Sequence, residues 1–207
     1  VAQFLKDTIP EGPKGRILFA PFSYYPTREW SLAYWGDLYQ YLSEAGYAVS
    51  VVVGKDQMAK VPPTLSSIFV PSNFLETLAL MEEMDFFVGG DSGPAWLADL
   101  QGDLQGVMLC GPSKGVMPRD SKVREVWVSP EKVPCVRCSF NEEKGHREVC
   151  RVACRALLQY SPEDVARKVL TTLDPSWKGE FKPGERWVGE GRVGLQIKRA
   201  SPIMGAQ

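Results

Sequence analysis

The spacing of apolar side chains along the chain changes several times, and each change marks a predicted element. Residues 16–20 and 49–53 are short apolar runs, which is typical of strands buried on both faces of a parallel sheet. Residues 30–45 lie between them and carry apolar side chains at helical spacing, up to Gly46, which ends the helix. This order of strand, helix and strand predicts a βαβ unit.

The alternation continues along the chain. Further short strands are predicted at residues 68–70, 86–89, 105–109 and 126–128. Further helices are predicted from Ser72 or Asn73 to about Glu83, from near Ser92, and from Ser161 or Pro162 to Leu173. The packed side of the first of these helices is predicted to hold Leu75, Leu78, Ala79 and Met81. The pattern predicts an α/β fold with a doubly wound parallel sheet, which binds ligands beyond the carboxyl ends of its strands.

The chain divides into four predicted segments. They are a Rossmann-like domain at 1–128, a four-cysteine module at 129–155, a terminal helix packed on that domain at 156–173, and an extended tail at 174–207. The tail carries large apolar residues that a merely disordered tail should lack: Trp177, Phe181, Trp187, Val193, Leu195 and Ile197. We expect it to dock on a protein partner or another subunit. The alternative is a tail that wraps back on its own domain.

Composition narrows the classes of partner. The 207 residues include 44% hydrophobic and 24% charged side chains, and the formal net charge is −1. This balance is ordinary for a globular protein and gives no overall attraction to nucleic acid or to a membrane surface. No apolar stretch approaches the roughly 20 residues of a membrane span, and the first residues lack the pattern of a secretory signal. We therefore expect a cytoplasmic protein without a membrane span that binds no nucleic acid.

The sequence Asp91-Ser92-Gly93 stands between a predicted strand and a predicted helix. Backbone N–H groups at the start of a helix lack partners within it, and the helix dipole is positive there, so this turn favours an anion such as phosphate. The alternative is that Asp91 or Ser92 simply caps the helix, as at any junction of a strand and a helix.

Four cysteines lie within twenty residues, in the spacing C-x2-C-x11-C-x3-C: Cys135, Cys138, Cys150 and Cys154. Two close pairs can bring four thiolates to one tetrahedral zinc or iron ion, and a closed four-cysteine site is structural rather than catalytic. Disulfides in an oxidising setting and free thiols are the alternatives. His146 could replace one thiolate, although a solvated loop histidine is the simpler interpretation. Cys110, at a strand end, is expected to be a small buried hydrophobe, and no redox cofactor is expected.

The turn and its surroundings resemble glycosyltransferase family nine, the lipopolysaccharide heptosyltransferases and their relatives. That family has an Asp-Ser/Thr-Gly turn, a His shortly after it at the start of Leu-Ala, and a strand ending in Phe-Gly-Pro. This chain has Asp91-Ser92-Gly93-Pro94-Ala95-Trp96-Leu97-Ala98 and Cys110-Gly111-Pro112, so Trp96 replaces the His. The family's Lys-x-Trp corresponds to Arg28-Glu29-Trp30. The resemblance runs from about residue 14 to 173 and implies the C-terminal, nucleotide-sugar-binding half of a GT-B enzyme.

The resemblance also implies roles for individual residues. It assigns the diphosphate of a nucleotide sugar to the turn Asp91, Ser92, Gly93 and Pro94, charge neutralisation to Arg28, and the ribose or base to Asp56 or Gln57. Arg28 could instead be a solvated charge at a helix start, and Trp96 a core aromatic. The catalytic base of these enzymes belongs to the other half, so no catalytic residue is assigned. One bacterial subgroup that resembles them binds iron through four cysteines.

Two functions follow from these observations. The chain is the nucleotide-diphosphate-sugar-binding half of a heptosyltransferase-like inverting glycosyltransferase, or it is a non-catalytic structural or assembly subunit derived from that domain. Whether it is an enzyme stays open at this point. A nucleotide hydrolase is disfavoured, because the chain has no Gly-rich Walker loop and no paired carboxylates for a metal ion.

Overall fold

A parallel sheet forms the centre of the computed structural model, which describes residues 9–111, 117–118, 120–126, 154, 156–179 and 197–198. The strands are β1 Arg16–Ala20, β2 Ala48–Val52, β3 Ile68–Phe69, β4 Phe86–Gly90, β5 Gln105–Leu109 and β6 Val123–Val126, with a two-residue β7 at Ile197–Lys198. The sheet order is β6-β5-β4-β1-β2-β3-β7, and every pairing is parallel. The doubly wound α/β fold predicted from the sequence is therefore confirmed.

Four α-helices accompany the sheet in the part of the chain that the structure describes. They are α1 Leu32–Glu44, α2 Phe74–Met81, α3 Gly93–Leu100 and α4 Pro162–Leu173, with short 3-10 turns at Pro26–Arg28, Met58–Lys60 and Leu157–Gln159. Asn73 caps α2 by accepting a hydrogen bond from the Glu76 amide at 3.0 Å. Ser161 caps α4 by accepting from the Asp164 amide at 3.1 Å. These caps satisfy amide groups that have no partner within the helix.

The helices cover both faces of the sheet. One face packs α1 and α4 against the sheet, and it buries Trp35, Leu38 and Leu42 of α1 completely. Val165, Val169 and Leu170 of α4 lie in the same apolar cluster as Ile17 and Phe19 of β1. The opposite face packs α2 and α3 over Leu18, Phe87 and Met108. Burial of each large apolar side chain contributes about 1.5–3 kcal/mol relative to exposure.

The order of the strands fixes where a ligand can bind. The chain runs from the central β1 outward to β2 and β3, and then returns to pair β4 with the other side of β1. The loops that follow β1 and β4 therefore leave neighbouring strands in opposite directions at one edge of the sheet. This reversal is the point at which open α/β sheets leave a crevice for a ligand.

Two predictions at the edges of the sheet were wrong in detail. Leu75 was placed on the packed side of its helix, yet it is 62% exposed, and Leu80, which was not predicted there, is buried. Met81 is buried as predicted. The first turn of α2 follows the two-residue strand β3, where the sheet offers little surface to pack on. The last core strand begins at Val123 rather than at Val126, since Arg124 and Glu125 interrupt its apolar character, and residues 127 and 128 of the predicted strand lie outside the described residues.

A partly buried hydrogen bond between α1 and α4 makes stability depend on pH. The Tyr41 hydroxyl donates to Glu163 Oε1 at 2.7 Å. Burial raises the pKa of Tyr41 to about 12, with the hydrogen bond to Glu163 as the next cause. Burial alone would raise the pKa of Glu163, but the hydrogen bonds from Tyr41, from the backbone and from Ser161 together lower it. A carboxyl group whose pKa is lowered by folding stabilises the fold at pH values above its ordinary pKa. This stabilisation is lost as the pH falls through the lowered pKa.

We predict that Tyr41→Phe lowers the free energy of unfolding by about 1 kcal/mol near about pH 7, because the hydrogen bond to the carboxylate is lost. The difference from the wild type should shrink as the pH falls through the lowered pKa of Glu163, because the carboxyl group is then protonated in both proteins. Urea unfolding over a series of decreasing pH values measures this. Tyr39→Phe is the matched control, since the Tyr39 hydroxyl pairs with Ser66 Oγ rather than with a carboxylate. A pH-independent difference for Tyr41→Phe would contradict the prediction.

Candidate functional site

Residues from both sides of the crevice meet in one ion pair. Arg28 lies in the loop after β1, and Asp91 lies directly after β4. Arg28 Nη1 is 3.2 Å from Asp91 Oδ2, and the two side chains are 25% and 5% exposed. Arg28 is thus held in a largely buried ion pair and is not a solvated charge at a helix start. The structure brings these two predicted site residues together.

The loop after β1 is also tied to the end of β4 by uncharged contacts. Ser23 Oγ donates to the backbone oxygen of Asp91 at 3.0 Å, and the Ser23 amide donates to Glu29 Oε1 at 3.1 Å. A Cβ atom placed on Gly90 would lie 3.0 Å from the backbone oxygen of Arg28, so the two backbones approach closely there. Ser23 and Glu29 were not predicted as site residues. The position of Ser23 shortly after a buried strand could have indicated a role at the site, whereas no feature of the sequence indicated one for Glu29.

The turn at Asp91 to Pro94 opens α3 and leaves room in front of it. Ser92 occupies the N-cap position, but its hydroxyl donates to the backbone oxygen of Gly90 at 3.3 Å rather than capping the helix. Pro94 carries no amide hydrogen, and the Ala95 amide donates to the Ser92 oxygen at 3.0 Å. Gly93 is exposed, and a Cβ atom added to it would meet nothing within 4 Å. The space beside Gly93 is therefore open, while Pro94 can only shape the turn.

The loop after β2 forms a separate part of the same sheet edge. Gln57 Oε1 accepts a hydrogen bond from the Gly54 amide at 2.8 Å, so this side chain organises its own loop. Asp56 is exposed to solvent. The loop lies on the β2 side of β1, whereas the Arg28–Asp91 pair lies on the β4 side. The predicted residues for the ribose or base thus flank the ion pair across the end of the central strand.

Trp96 is not a core residue. It is 43% exposed in the first turns of α3, whose buried positions belong to Ala95 and Ala98. The interpretation of Trp96 as a core aromatic was wrong, because the helix packs against the sheet through small residues. The indole instead lies on the exposed side of the helix that begins at the turn.

A tyrosine hydroxyl joins the neighbouring strand ends. Tyr160 Oη lies 2.9 Å from the backbone oxygen of Cys110 and 2.6 Å from that of Val126, after β5 and at the end of β6. The backbone oxygen of Tyr160 accepts from Trp30 Nε1 at 3.1 Å. The segment before α4 therefore fixes both the end of the sheet and the loop that carries Arg28.

Of the four clustered cysteines, the structure describes Cys154 alone. Its side chain is 5% exposed, and a Cβ atom on Gly111 would lie 2.9 Å from its sulfur. Cys135, Cys138 and Cys150, together with His146, lie outside the described residues. Among the described residues no group of three or more His, Cys, Asp or Glu could hold a metal ion. Cys110 is fully buried, as predicted.

Comparison with known proteins decides the family. The family model Glycosyltransferase family 9 (heptosyltransferase) matches residues 2–139. The chain belongs to this family. No curated protein sequence matches the chain significantly. In the described part of this family member, no helix has the length and apolar character needed to cross a bilayer.

Solved bacterial structures share the fold. ADP-heptose lipopolysaccharide heptosyltransferase II from E. coli is 17% identical with a TM-score of 0.63, and the alignment covers 83% of this chain and 50% of that chain. A family 9 glycosyltransferase from Veillonella parvula is 18% identical with a TM-score of 0.60, with coverage of 83% and 50%. The dodecameric iron-containing heptosyltransferase TibC from enterotoxigenic E. coli, in complex with ADP-D-β-D-heptose, is 18% identical with a TM-score of 0.56, with coverage of 81% and 47%. This chain spans about half the length of these proteins.

We predict that Asp91→Asn lowers the free energy of unfolding by about 1–2 kcal/mol, because the partly buried Arg28 loses its charged partner. Urea unfolding at low salt measures the change. Asp103→Asn is the matched control: its ion pair with Lys122, at 2.7 Å between Nζ and Oδ1, lies on the surface and should matter little. Equal effects of the two substitutions would show that the Arg28–Asp91 pair contributes no more than a surface pair.

Proposed function

We propose that this chain is the nucleotide-diphosphate-sugar-binding half of a heptosyltransferase-like inverting glycosyltransferase. The observation that carries the proposal is the Arg28–Asp91 pair beside the open turn at Gly93, at the point where the strand order reverses. A cation, a helix N-terminus and open space meet there, and this combination suits the two phosphates of a nucleotide sugar.

The electrostatics of the site favour a diphosphate over an uncharged ligand. Asp91 alone would repel a phosphate, but its carboxylate lies 3.2 Å from the Arg28 guanidinium, which offsets the charge. A guanidinium has several N–H donors in a planar fork, so it can serve a carboxylate and a phosphate together. The Gly93 amide and the dipole of α3 add a further favourable field. In this scheme Asp91 orients Arg28, Ser92 and Pro94 shape the turn, and Gly93 and Arg28 contact the phosphates.

The nucleoside is proposed to lie toward the loop after β2. The exposed Asp56 carboxylate can accept hydrogen bonds from ribose hydroxyls, and Gln57 holds that loop through Gly54. The proposed reaction is attack of an acceptor hydroxyl on the sugar, with the nucleoside diphosphate as leaving group. Removal of the acceptor proton requires a base, and this half supplies none in the proposal.

The names of the structural neighbours suggest a first donor to test. One is an ADP-heptose lipopolysaccharide heptosyltransferase, and another was solved with ADP-D-β-D-heptose. We propose ADP-D-β-D-heptose as the reference donor for this chain, with ADP-glucose and UDP-glucose as comparisons.

We predict that Gly93→Val weakens binding of the preferred nucleotide sugar by at least about tenfold, because the added side chain fills the space in front of the turn. Since a Cβ atom there meets no protein atom within 4 Å, the fold should be retained. Arg28→Ala should weaken binding by about tenfold or more through loss of charge-assisted hydrogen bonds. Calorimetric titration measures both, with unfolding curves to verify the fold.

Leu100→Ala serves as the control for these titrations. Leu100 is 72% exposed at the far end of α3, so its truncation should leave donor affinity unchanged. Unchanged affinity in Gly93→Val would remove the turn from the site. A wild-type chain that binds none of the donors would favour the alternative, a non-catalytic structural or assembly subunit.

We also propose that Cys135, Cys138, Cys150 and Cys154 bind one structural zinc or iron ion. Support comes from their spacing and from Cys154, whose sulfur is packed beside Gly111 just beyond the end of β5. A site that includes Cys154 would attach residues 129–155 to the same sheet edge as Arg28 and Asp91. Disulfides and free thiols are the competing states of these cysteines.

We predict about one equivalent of zinc or iron per chain prepared under reducing conditions, measured by elemental analysis. Chelation should speed hydrogen exchange in residues 129–155 while the sheet keeps its protection, because metal binding contributes to the folding of such modules. Cys135→Ser should lose the metal, whereas Cys110→Ser, in a fully buried cysteine outside the cluster, should keep it. Metal content below about a tenth of an equivalent would contradict the site.

A protein partner on the tail is a further part of the proposal. Apart from the pairing of Ile197–Lys198 with β3, the tail from residue 180 onward lies outside the described residues. That pairing is a contact with the chain's own sheet, as in the alternative of a tail that wraps back. Native mass measurement of the purified chain bears on this proposal: a monomer without partners would contradict it. A cytoplasmic location stays an expectation from the composition.

A further inference from the structure

Two consecutive tyrosines after β1 present their rings to solvent beside the ion pair. Tyr24 is 88% exposed and Tyr25 46% exposed, and their ring centroids lie 4.9 Å apart in an edge-to-face arrangement. A tyrosine ring is a large apolar surface that is normally at least partly covered. Both rings of this pair therefore leave apolar surface available at the carboxyl edge of the sheet.

The tyrosine pair is continuous with the proposed diphosphate site. The Arg28 guanidinium carbon lies 5.1 Å from the centroid of the Tyr25 ring, and the same guanidinium is paired with Asp91. The Arg28 amide also donates to the Tyr25 backbone oxygen at 2.9 Å. One face of Tyr25 is thus occupied by the cation. Tyr24 is the outer ring of the pair, because it contacts Tyr25, and Tyr25 in turn contacts Arg28.

The loop that carries these rings is anchored rather than loose. Ser23, immediately before Tyr24, is buried and bonded both to the Asp91 backbone and to Glu29. On the other side of the pair, the 3-10 turn Pro26–Arg28 ends in the ion-paired Arg28. An exposed ring with fixed neighbours on both sides costs little entropy when a ligand packs on it.

We propose that Tyr24 is the stacking platform for the sugar ring of the donor, an inference that rests on the proposed function. In a nucleotide sugar the diphosphate carries the nucleoside at one end and the sugar at the other. The proposed nucleoside position is the loop after β2, so the sugar extends from the phosphates toward the tyrosine pair. The C–H face of a sugar ring packs on the aromatic face, while its hydroxyls stay free for other partners.

Two other occupants of the Tyr24 ring are distinguished by the experiment. A nucleobase would stack on the same ring and would do so without any sugar on the nucleotide. A protein surface, such as a second domain, would cover the ring without changing the affinity for any nucleotide. The sugar assignment is favoured because the rings join the site through Arg28, on the phosphate side, rather than through Asp56.

The test compares each donor with its parent nucleotide in wild type, Tyr24→Ala and Tyr24→Phe, by calorimetric titration. The pairs are ADP-D-β-D-heptose and ADP, ADP-glucose and ADP, and UDP-glucose and UDP, and the pair in which the sugar adds most affinity is used. Tyr24→Ala should weaken binding of that donor by about three- to tenfold and leave the parent nucleotide unchanged. Tyr24→Phe should bind like the wild type, since it keeps the ring face, and Leu100→Ala is the surface control.

Each other result overturns the inference in a recognisable way. Equal weakening of donor and parent nucleotide in Tyr24→Ala would assign the ring to the base, and unchanged affinity for both would assign it to neither. A sugar that adds no affinity in the wild type would show that the ring is not a sugar platform. These outcomes leave the nucleotide site itself intact, whereas a wild-type chain that binds no nucleotide at all would refute the proposed function as well.

Discussion

The pairing of β1 with β2 on one side and β4 on the other is the constraint on which the site depends. Because the chain must return past β1 to form β4, the loops after these two neighbouring strands diverge and leave a crevice. The Arg28–Asp91 pair spans that crevice, and Ser23 repeats the connection through the backbone of Asp91. The charged residues of the site are therefore positioned by strand order first and by their own attraction second.

Apolar packing and polar contacts make different contributions at the carboxyl edge of the sheet. Burial of α1 and α4 supplies most of the stabilisation, since even a largely buried ion pair contributes at most a few kcal/mol. Polar contacts instead fix the positions of loops and strand ends. The Tyr160 hydroxyl contacts backbone oxygens at the ends of β5 and β6, and the Tyr160 backbone oxygen accepts a hydrogen bond from Trp30, two residues beyond Arg28. The orientation of the Arg28 loop thus depends on a segment far away in the sequence.

Elements with an uninterrupted apolar pattern could be predicted from the sequence, and those at the edges could not. β1 and β5 were predicted at their observed bounds because both are buried runs. Leu75 was misplaced because the two-residue strand β3 offers the following helix little to pack on. The start of β6 was missed because an edge strand tolerates charges such as Arg124 and Glu125. The sequence predicted Arg28 and Asp91 as separate site residues. It could not predict their ion pair, since that contact arises only when β4 takes its place beside β1.

The two faces of the sheet differ in when their helices become available during synthesis. One face is covered by α2 and α3, which are contiguous in the chain with the strands around them. The other face also requires α4, whose Val165, Val169 and Leu170 belong to an apolar cluster that begins at Ile17. That second face cannot be completed until the ribosome has released residues as far as Leu173, and contacts of such long sequence separation slow folding. Until then the apolar surface that α4 covers stays open to solvent, and such surface is prone to aggregate during synthesis.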